Sequence, residues 1–427
     1  MRTWPALQIP AIPGHGEIVR VHDTSSGALV AAARDGSTEA TIYACGITPY
    51  DATHIGHAAT YVAVDLLQRA LRDQGLRVRY ASNVTDLDDP LLERAAATGV
   101  DWRDLAAEQT ALFGADMAAL GVIPPDVYAG VVESIPATVV AVERMLADGA
   151  AYRVPLEEGA GGESPELGDL YADLGRDDAF GRVANLPEAQ MLALFTERGG
   201  DPDRPGKRHP LDPLLWRRER PGEPHWDGGS LGTGRPGWHI ECAVIASGAL
   251  GPDFDVQAGG SDLLFPHHEM SGSHLRAAAG ATATARVHVH AGMVSLGGDK
   301  MSKSRGNLVF VSALRAAGVE PMAIRLALLA HHYRSDWEWT GAELTTAEAR
   351  LERWRAAFSG AIAPPPDDAV AEIRAALAAD LNAPGALTAM DAWADRTLAG
   401  PQHGEEWPEG EPGVMARAVD ALLGVRL

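Results

Sequence analysis

A strand–helix–strand alternation in the first third of this chain constrains its fold more than any other feature. Thr41-Ile42-Tyr43-Ala44 reads as a short strand, β-branched and aromatic, that stops at Cys45-Gly46. A polar loop follows, then a helix from about His57 to Asp73 with Tyr61, Val62, Val64, Leu67 and Leu71 on its apolar side. A second strand, Val78 to Val84, completes a βαβ unit. Two strands joined through a helix run parallel, so the pattern predicts an α/β fold with a Rossmann-like parallel sheet covered by helices. Sites in such sheets lie beyond the carboxyl ends of the strands.

Residues from about 121 to 210 change character, to helices broken by acidic, Gly/Pro-rich loops, notably Glu157 to Asp169. That predicts a helical insertion whose acidic run is a solvated loop. Val287-His288-Val289-His290 resumes strand-like alternation, and after Pro321 the chain reads helical, with a hinge at Pro364-Pro365-Pro366 and an N-cap candidate at Asp367. The expected division is a catalytic-type domain over 1–320 and a helical C-terminal domain over 321–427.

Charge and cysteine usage exclude several classes. A formal net charge of −22 opposes a broad electrostatic grip on nucleic acid, whose affinity comes mostly from neutralising phosphates with Lys and Arg. No apolar run has the length of a signal-peptide core, and none reaches the roughly 20 residues of a membrane span, so a cytoplasmic chain with no membrane partner is expected. Two cysteines in 427 residues make no disulfide scaffold and leave Cys45 and Cys242 as thiols.

Only three of the 36 basic residues are lysines, and two of them share one short loop, Lys300-Met301-Ser302-Lys303-Ser304, flanked by Gly297, Gly298 and Gly306. A compact ammonium on a flexible stem can follow a phosphate during chemistry in a way that a planar guanidinium cannot. Glycine-hinged loops are where such groups are carried. Between the first strand and its helix lies His54-Ile55-Gly56-His57. Histidines at a helix N-terminus, with its unpaired N–H groups and positive dipole end, can hold a triphosphate, and Gly56 lets a flat base approach the backbone. Lys300 and Lys303 on the other side would stabilise charge as pyrophosphate leaves, which makes an adenylating site with Mg-ATP as substrate.

These two segments, in this order, resemble the paired signature of class I aminoacyl-tRNA synthetases. The similarity narrows to the cysteinyl branch through Tyr43-Ala44-Cys45-Gly46, Trp238-His239-Ile240-Glu241-Cys242 and the stretch Gly259 to Glu269, which contains Phe265-Pro266-His267-His268. The resemblance implies a class I catalytic domain and a Zn²⁺ ion held by Cys45, Cys242 and His267, one per chain, with a fourth position open to the substrate thiolate. Such a site selects L-cysteine over serine because only the soft thiolate is a good zinc ligand. Cysteinyl enzymes usually carry a glutamate where this chain has Ser271, so three protein ligands are expected.

The same resemblance implies that Gly46, Ile47, Thr48 and Thr60 line the aminoacyl end, and that Asn83, Val84 and Thr85 border the pocket. It implies further that Trp238 covers the adenylate, that Gly260, Ser261 and Asp262 meet the nucleoside, and that Met293 or Val294 touches adenine through its backbone. Two features depart from the tRNA enzymes. The stretch after Ser304 is short of a helical domain plus an anticodon-reading module, and the end of the chain from Gln402 carries only Arg417 and Arg426 as basic residues. Ile47-Thr48-Pro49 and Glu197-Arg198-Gly199-Gly200-Asp201-Pro202 instead resemble the actinobacterial cysteinyl-synthetase paralogues of mycothiol biosynthesis, and the Ala-, Gly- and Arg-rich composition suits such a genome.

The expected activity is therefore ATP-dependent ligation of L-cysteine to the amine of glucosaminyl-inositol through cysteinyl-AMP, by a monomer that binds no nucleic acid. His54, His57, Lys300 and Lys303 would be catalytic, and Asp51 is the candidate base for the amine. A truncated cysteinyl-tRNA synthetase and a catalytically silent ATP/cysteine-binding paralogue are the alternatives. The lysine argument is directly testable: Lys303→Arg should slow cysteinyl-AMP formation, followed by pyrophosphate exchange, much more than it raises the Kd for cysteine, and equal activity would make the retained lysine accidental.

Overall fold

The computed structural model describes residues 1–50, 53–156, 168–280, 282, 284–300, 308–402 and 404–427. A hairpin of β1 (Arg20–Asp23) and β2 (Ala28–Ala31) precedes β3 (Glu39–Ile47), α1 (Ile55–Asp73) and β4 (Arg77–Val84), the predicted βαβ unit. Strand β3 does not stop at Cys45-Gly46. It passes through an irregularity after Ala44 and rejoins its neighbour where Ile47 pairs with Val84. Helices α2 (Asp89–Thr98) and α3 (Trp102–Ala119) lead to β5 (Val127–Gly130) and α4 (Val131–Ala147).

Between residues 121 and 210 the expected helices are present as α4 and α5 (Glu188–Glu197), but strands stand among them. β5 pairs in parallel with β4 and so belongs to the central sheet. β6 (Ala151–Val154) and β7 (Asp169–Ala172) join β8 (Leu214–Arg218) and β9 (Gly234–Pro236) in a four-stranded antiparallel sheet. Four-residue strands between Gly/Pro-rich loops are too short for a period to register. Most of the acidic run falls outside the described residues, yet its last member is no solvated side chain. Asp169 is buried, accepts from the Arg218 N–H at 2.9 Å and pairs with Arg220 at 2.9 Å.

The chain then returns to the central sheet through α6 (Trp238–Leu250), β10 (Asp253–Gly260), α7 (Glu269–Ala279) and β11 (Thr284–Ala291). A hairpin of β12 (Val294–Leu296) and β13 (Asp299–Lys300) turns on Gly297 and Gly298, both at positive φ, the conformation a tight two-residue turn requires. Helices α8 (Val311–Ala316) and α9 (Pro321–Leu329) follow, then β14 (Trp337–Glu338), which pairs with β12. α10 (Gly341–Phe358), α11 (Asp367–Ala378), α12 (Ala383–Ala399) and α13 (Glu411–Leu423) complete the fold. Asp367 is the first residue of α11, with Pro366 in the capping position. Among the described residues no helix is long and apolar enough to cross a membrane.

The central sheet has the order β11-β10-β3-β4-β5 with every neighbouring pair parallel. Side chains of β3 alternate between two cores, as a pleated strand dictates. Ala40, Ile42 and Ala44 face a core shared with Tyr61 and Val62 of α1 and with Leu326, Trp354 and Leu422 of the C-terminal helices. Tyr43 and Cys45 face the opposite core, beside Ile240, Cys242 and Ala243 of α6. This parity is what turns the first cysteine towards the second.

A buried ionic cluster ties the two ends of the chain together. Asp65 on α1 accepts from Arg69 Nε at 2.7 Å, pairs with Arg325 of α9 and accepts from the Ile123 N–H at 2.8 Å. Arg325 also donates to the carbonyls of Leu120 and Leu423 at 2.9 and 2.7 Å, and Arg69 to those of Gly121 and Asp420 at 2.8 and 2.6 Å. Although burial opposes it, the two guanidinium groups hold the Asp65 carboxyl below the ordinary carboxylate range. Asp65→Asn leaves two buried cations without their counter-charge and should cost about 3–5 kcal/mol in urea denaturation at neutral pH. Because the folded pKa is the lowered one, this contribution is complete above the ordinary carboxylate range and is lost as pH falls through the folded value, so wild type and Asp65→Asn should converge in acid.

Candidate active site

The site is assembled at the carboxyl ends of β3, β4 and β10, around Asn83. This buried amide accepts from the Gly46 N–H at 2.8 Å and from Tyr43 Oη at 3.0 Å, and donates to Thr85 Oγ1 at 3.1 Å. The bond to Gly46 draws β3 and β4 so close that a Cβ on Gly46 would stand 1.5 Å from the Asn83 carbonyl oxygen. Tyr61 donates to the Cys45 carbonyl at 3.1 Å, so α1 fixes the backbone of the same residue from the other face.

Cys45 Sγ and Cys242 Sγ lie 3.8 Å apart, and His267 Nε2 is 3.1 Å from Cys242 Sγ. The three ligand-type atoms all lie within 4.8 Å of one another, and all three residues are buried. Two thiols and an imidazole converging out of water make a donor set suited to a soft or borderline divalent metal. The bond donated by the Cys45 thiol, together with the His267 imidazole, pulls the Cys242 thiol well below its ordinary range, while burial pushes Cys45 up. Metal binding takes thiols in their deprotonated form, the form this environment favours at Cys242.

The neighbours of this cluster are themselves held. His239 Nδ1 is 3.1 Å from His267 Nδ1, and burial keeps His239 in its neutral form. Ser271 donates to the His239 carbonyl at 2.9 Å. Glu269 accepts three backbone N–H groups of the insertion, from Gly181, Val183 and Ala184 at 2.8 to 2.9 Å, and so clamps that segment onto the turn bearing His267.

His54 caps α1, accepting from the His57 N–H at 3.3 Å, and the two rings stack with centroids 3.7 Å apart. Of the lysine loop, Lys300 ends β13, while Lys303 and residues 301–307 lie outside the described residues, as does Asp51. The chain's return is informative: the Ile55 N–H bonds the Val309 carbonyl at 2.9 Å, and the Val311 N–H bonds the Thr53 carbonyl at 3.0 Å. The segment just after the loop is therefore stitched to the start of the histidine signature.

A cavity of about 240 Å³ opens here. Cys45, Gly46, Ile47, Thr48, His57 and Thr60 line it, opposite Asn83, Thr85, Trp238, Cys242, Gly260, Asp262 and His267. Four other expected residues stand back from it. His54 sits behind His57, Val84 is buried in the sheet core, Ser261 begins the turn that carries Asp262, and Val294 is buried in β12. The Met293 N–H is committed to Asp336 Oδ1 at 2.7 Å. Tyr50, Tyr61 and Leu263 also line the cavity. Tyr61 was legible only as a core position, although it lies one helical turn after His57 and so on the same face.

The family description "tRNA synthetases class I (C) catalytic domain" matches residues 33–349. The curated L-cysteine:1D-myo-inositol 2-amino-2-deoxy-alpha-D-glucopyranoside ligase of Sanguibacter keddieii is 69% identical over 430 residues, covering 100% of both chains. Its namesakes of Cellulomonas flavigena and Streptomyces coelicolor are 63% and 57% identical, again over 100% of both chains. The chain belongs to the class I synthetase family, in this cysteine-ligase branch. Among solved structures, Mycobacterium tuberculosis methionyl-tRNA synthetase in complex with methionyl-adenylate aligns with a TM-score of 0.59 at 18% identity, over 91% of this chain and 89% of that one. A leucyl-tRNA synthetase of Agrobacterium radiobacter aligns with a TM-score of 0.61 at 12% identity, over 91% and 83%. At those identities the likeness concerns the fold alone.

In this synthetase-family site the close approach at Gly46 makes a sharp prediction. Gly46→Ala should lower stability by more than about 1 kcal/mol, because backbone and not a flexible side chain must yield. Gly248→Ala in α6, where a Cβ meets nothing within 4 Å, should raise it by about 0.5–1 kcal/mol. Thermal denaturation of the two variants beside wild type checks both signs.

Proposed function

We infer that this enzyme is an ATP-dependent ligase that joins L-cysteine to the amine of glucosaminyl-inositol, through cysteinyl-AMP and with release of AMP and pyrophosphate. The observation that carries the reading is full-length identity to relatives of that name, in a chain whose two cysteines and His267 converge beside the histidine signature. Zn²⁺ is the metal these donors suit. Bound by Cys45, Cys242 and His267, it supplies an electrophilic centre that favours the thiolate of cysteine over the hydroxyl of serine.

The chain's own residues do the remaining work. Gly46, Ile47, Thr48, Thr60, Asn83 and Thr85 shape the aminoacyl end, and Trp238 forms its lid. Asp262, which lines the cavity with Gly260, accepts from the ribose hydroxyls in this reading. The cysteine carboxylate attacks the α-phosphorus of Mg-ATP, forming the acyl–phosphate bond as the bond to the departing pyrophosphate breaks. His57, supported by the His54 ring stacked behind it, donates to the phosphates at the positive end of α1. Lys300 and Lys303 neutralise the charge that accumulates on the departing group. In the second step the sugar amine attacks the acyl carbon and AMP leaves.

Purified enzyme given ATP and cysteine should catalyse ATP–pyrophosphate exchange, and should then acylate glucosaminyl-inositol but not tRNA. No exchange would sink the enzyme reading, and acylation of tRNA alone would sink the ligase. Elemental analysis should find about one zinc per chain in wild type and in Ser271→Ala, and almost none in Cys242→Ala. Retention of zinc by Cys242→Ala would rule out the ligand set.

A further inference from the structure

A second cavity, of about 680 Å³, lies on the other side of Trp238. Its volume is within the range of small-molecule pockets. It touches the first cavity at several points. Trp238 lines both. Thr48 of the first lies 3.4 Å by its hydroxyl from Asp88 Oδ2 of the second, and His239 of the second touches His267 of the first. Arg198 reaches from the second to the carbonyl oxygens of Asp262 and Phe265 behind the first. The segment Arg198-Gly199-Gly200-Asp201 forms part of the second wall.

The charges around this cavity are largely satisfied among themselves. Arg220 pairs with Asp169 at 2.9 Å, Arg217 with Glu223 at 2.9 Å, and Arg235 with Asp89. Arg198 holds the carbonyls of Asp262 and Phe265 through Nη1 and keeps its charge. The other three guanidinium groups are matched by carboxylates. The carboxylates Asp88 and Glu93 differ, because neither is ion-paired among the described residues. Asp88 bonds Thr48 Oγ1 and the Asp89 N–H, and Glu93 lies one turn on along α2. Two carboxylates without an ion-pair partner, side by side at the start of α2 and among many fixed donors and acceptors, suit an ammonium group on a hydroxyl-rich ligand.

We propose that this second cavity binds the amino-polyol acceptor, and that Asp88, at its junction with the first cavity, takes the proton that frees the acceptor's amine. The assignment rests on the ligase reading and adds a place and a proton path to it. The ammonium gives one proton to the Asp88 carboxylate. The free nitrogen then attacks the acyl carbon, the N–C bond forms, and the C–O bond to the adenylate phosphate breaks with its electron pair on the oxygen. The nitrogen's second proton leaves on the phosphate of AMP. Burial raises the Asp88 pKa to about 6, against the opposing influence of Arg235, with Asp89 and Glu241 as its other charged neighbours. A carboxyl so tuned is ionised at neutral pH yet a better base than an exposed one.

The bland role for Asp88 is capping of α2, and the test separates the two. Asp88→Asn keeps an acceptor oxygen for the cap but cannot take a proton. Wild type must first show both pyrophosphate exchange and transfer to glucosaminyl-inositol, and failure there refutes the ligase reading itself. Given both, Asp88→Asn should slow single-turnover transfer from preformed cysteinyl-AMP at least tenfold, with exchange within threefold of wild type. Glu93→Gln should raise the acceptor KM at least threefold with kcat within twofold. Transfer at the wild-type rate in Asp88→Asn, a fall in exchange as large as the fall in transfer, or an unmoved acceptor KM in Glu93→Gln would overturn the proposal.

Discussion

One carboxylate out of reach of water, Asp65, organises this molecule. Its oxygens meet the guanidinium groups of Arg69 and Arg325 and the Ile123 N–H, and those guanidinium groups in turn cap the carbonyls that end α3 and α13. An isolated buried charge would cost far more than a fold can spare, so the cluster persists only when all its members are present. It binds α1 to a helix of the C-terminal half and to the chain's last turn. Among the described residues the C-terminal helices accordingly share their core with the sheet: Trp354, Met390 and Leu422 belong to the cluster that contains Val21 and Ile42. Since α1 starts at the histidine signature and leans on Cys45 through Tyr61, the rigidity set at Asp65 reaches the chemistry.

The chemistry is distributed over structures of different origin. The sheet presents Cys45 and Asn83, α6 contributes Cys242, and an irregular turn held by Glu269 and Arg198 contributes His267 and Asp262. Cys45, Asn83, Cys242 and His267 are each held by a bond to backbone or to another buried side chain, so this part of the site is preorganised before any ligand arrives. The antiparallel sheet of β6 to β9 contributes Tyr171, Leu214, Arg217 and Arg235 to the wall of the second cavity.

How much of this was legible in the residues depended on length and on rarity. The βαβ unit could be read because its helix runs 19 residues with an apolar face and its strands are flanked by clear breaks. β5, β6 and β7 could not, because each spans 4 residues, too few for an alternation to register. The cysteines stood out because there were only two, and the turn bearing His267 because its motif is specific. The lysines show the limit of such reasoning. Lys207 was as rare as its companions, yet it is a strut, donating to the carbonyls of Asp201 and Pro210 at 3.1 and 2.7 Å. Tyr61 and Asp88 escaped notice for the opposite reason: each also fits an ordinary role, in a core stripe or a helix cap.

The alternation of β3 between two cores also limits how this gene can change. Deleting one residue before Cys45 within the strand would exchange faces, leaving Ala44 towards α6 and the thiol among the aliphatic side chains of α1. Deleting two would restore the face but displace the sulfur by about 7 Å, several times a metal–thiolate bond length of about 2.3 Å. Substitutions can accumulate along β3, but length variation there cannot. The tolerated insertions and deletions should therefore fall in the loops on either side, so that frame-preserving indels and point changes map to different parts of the same short segment.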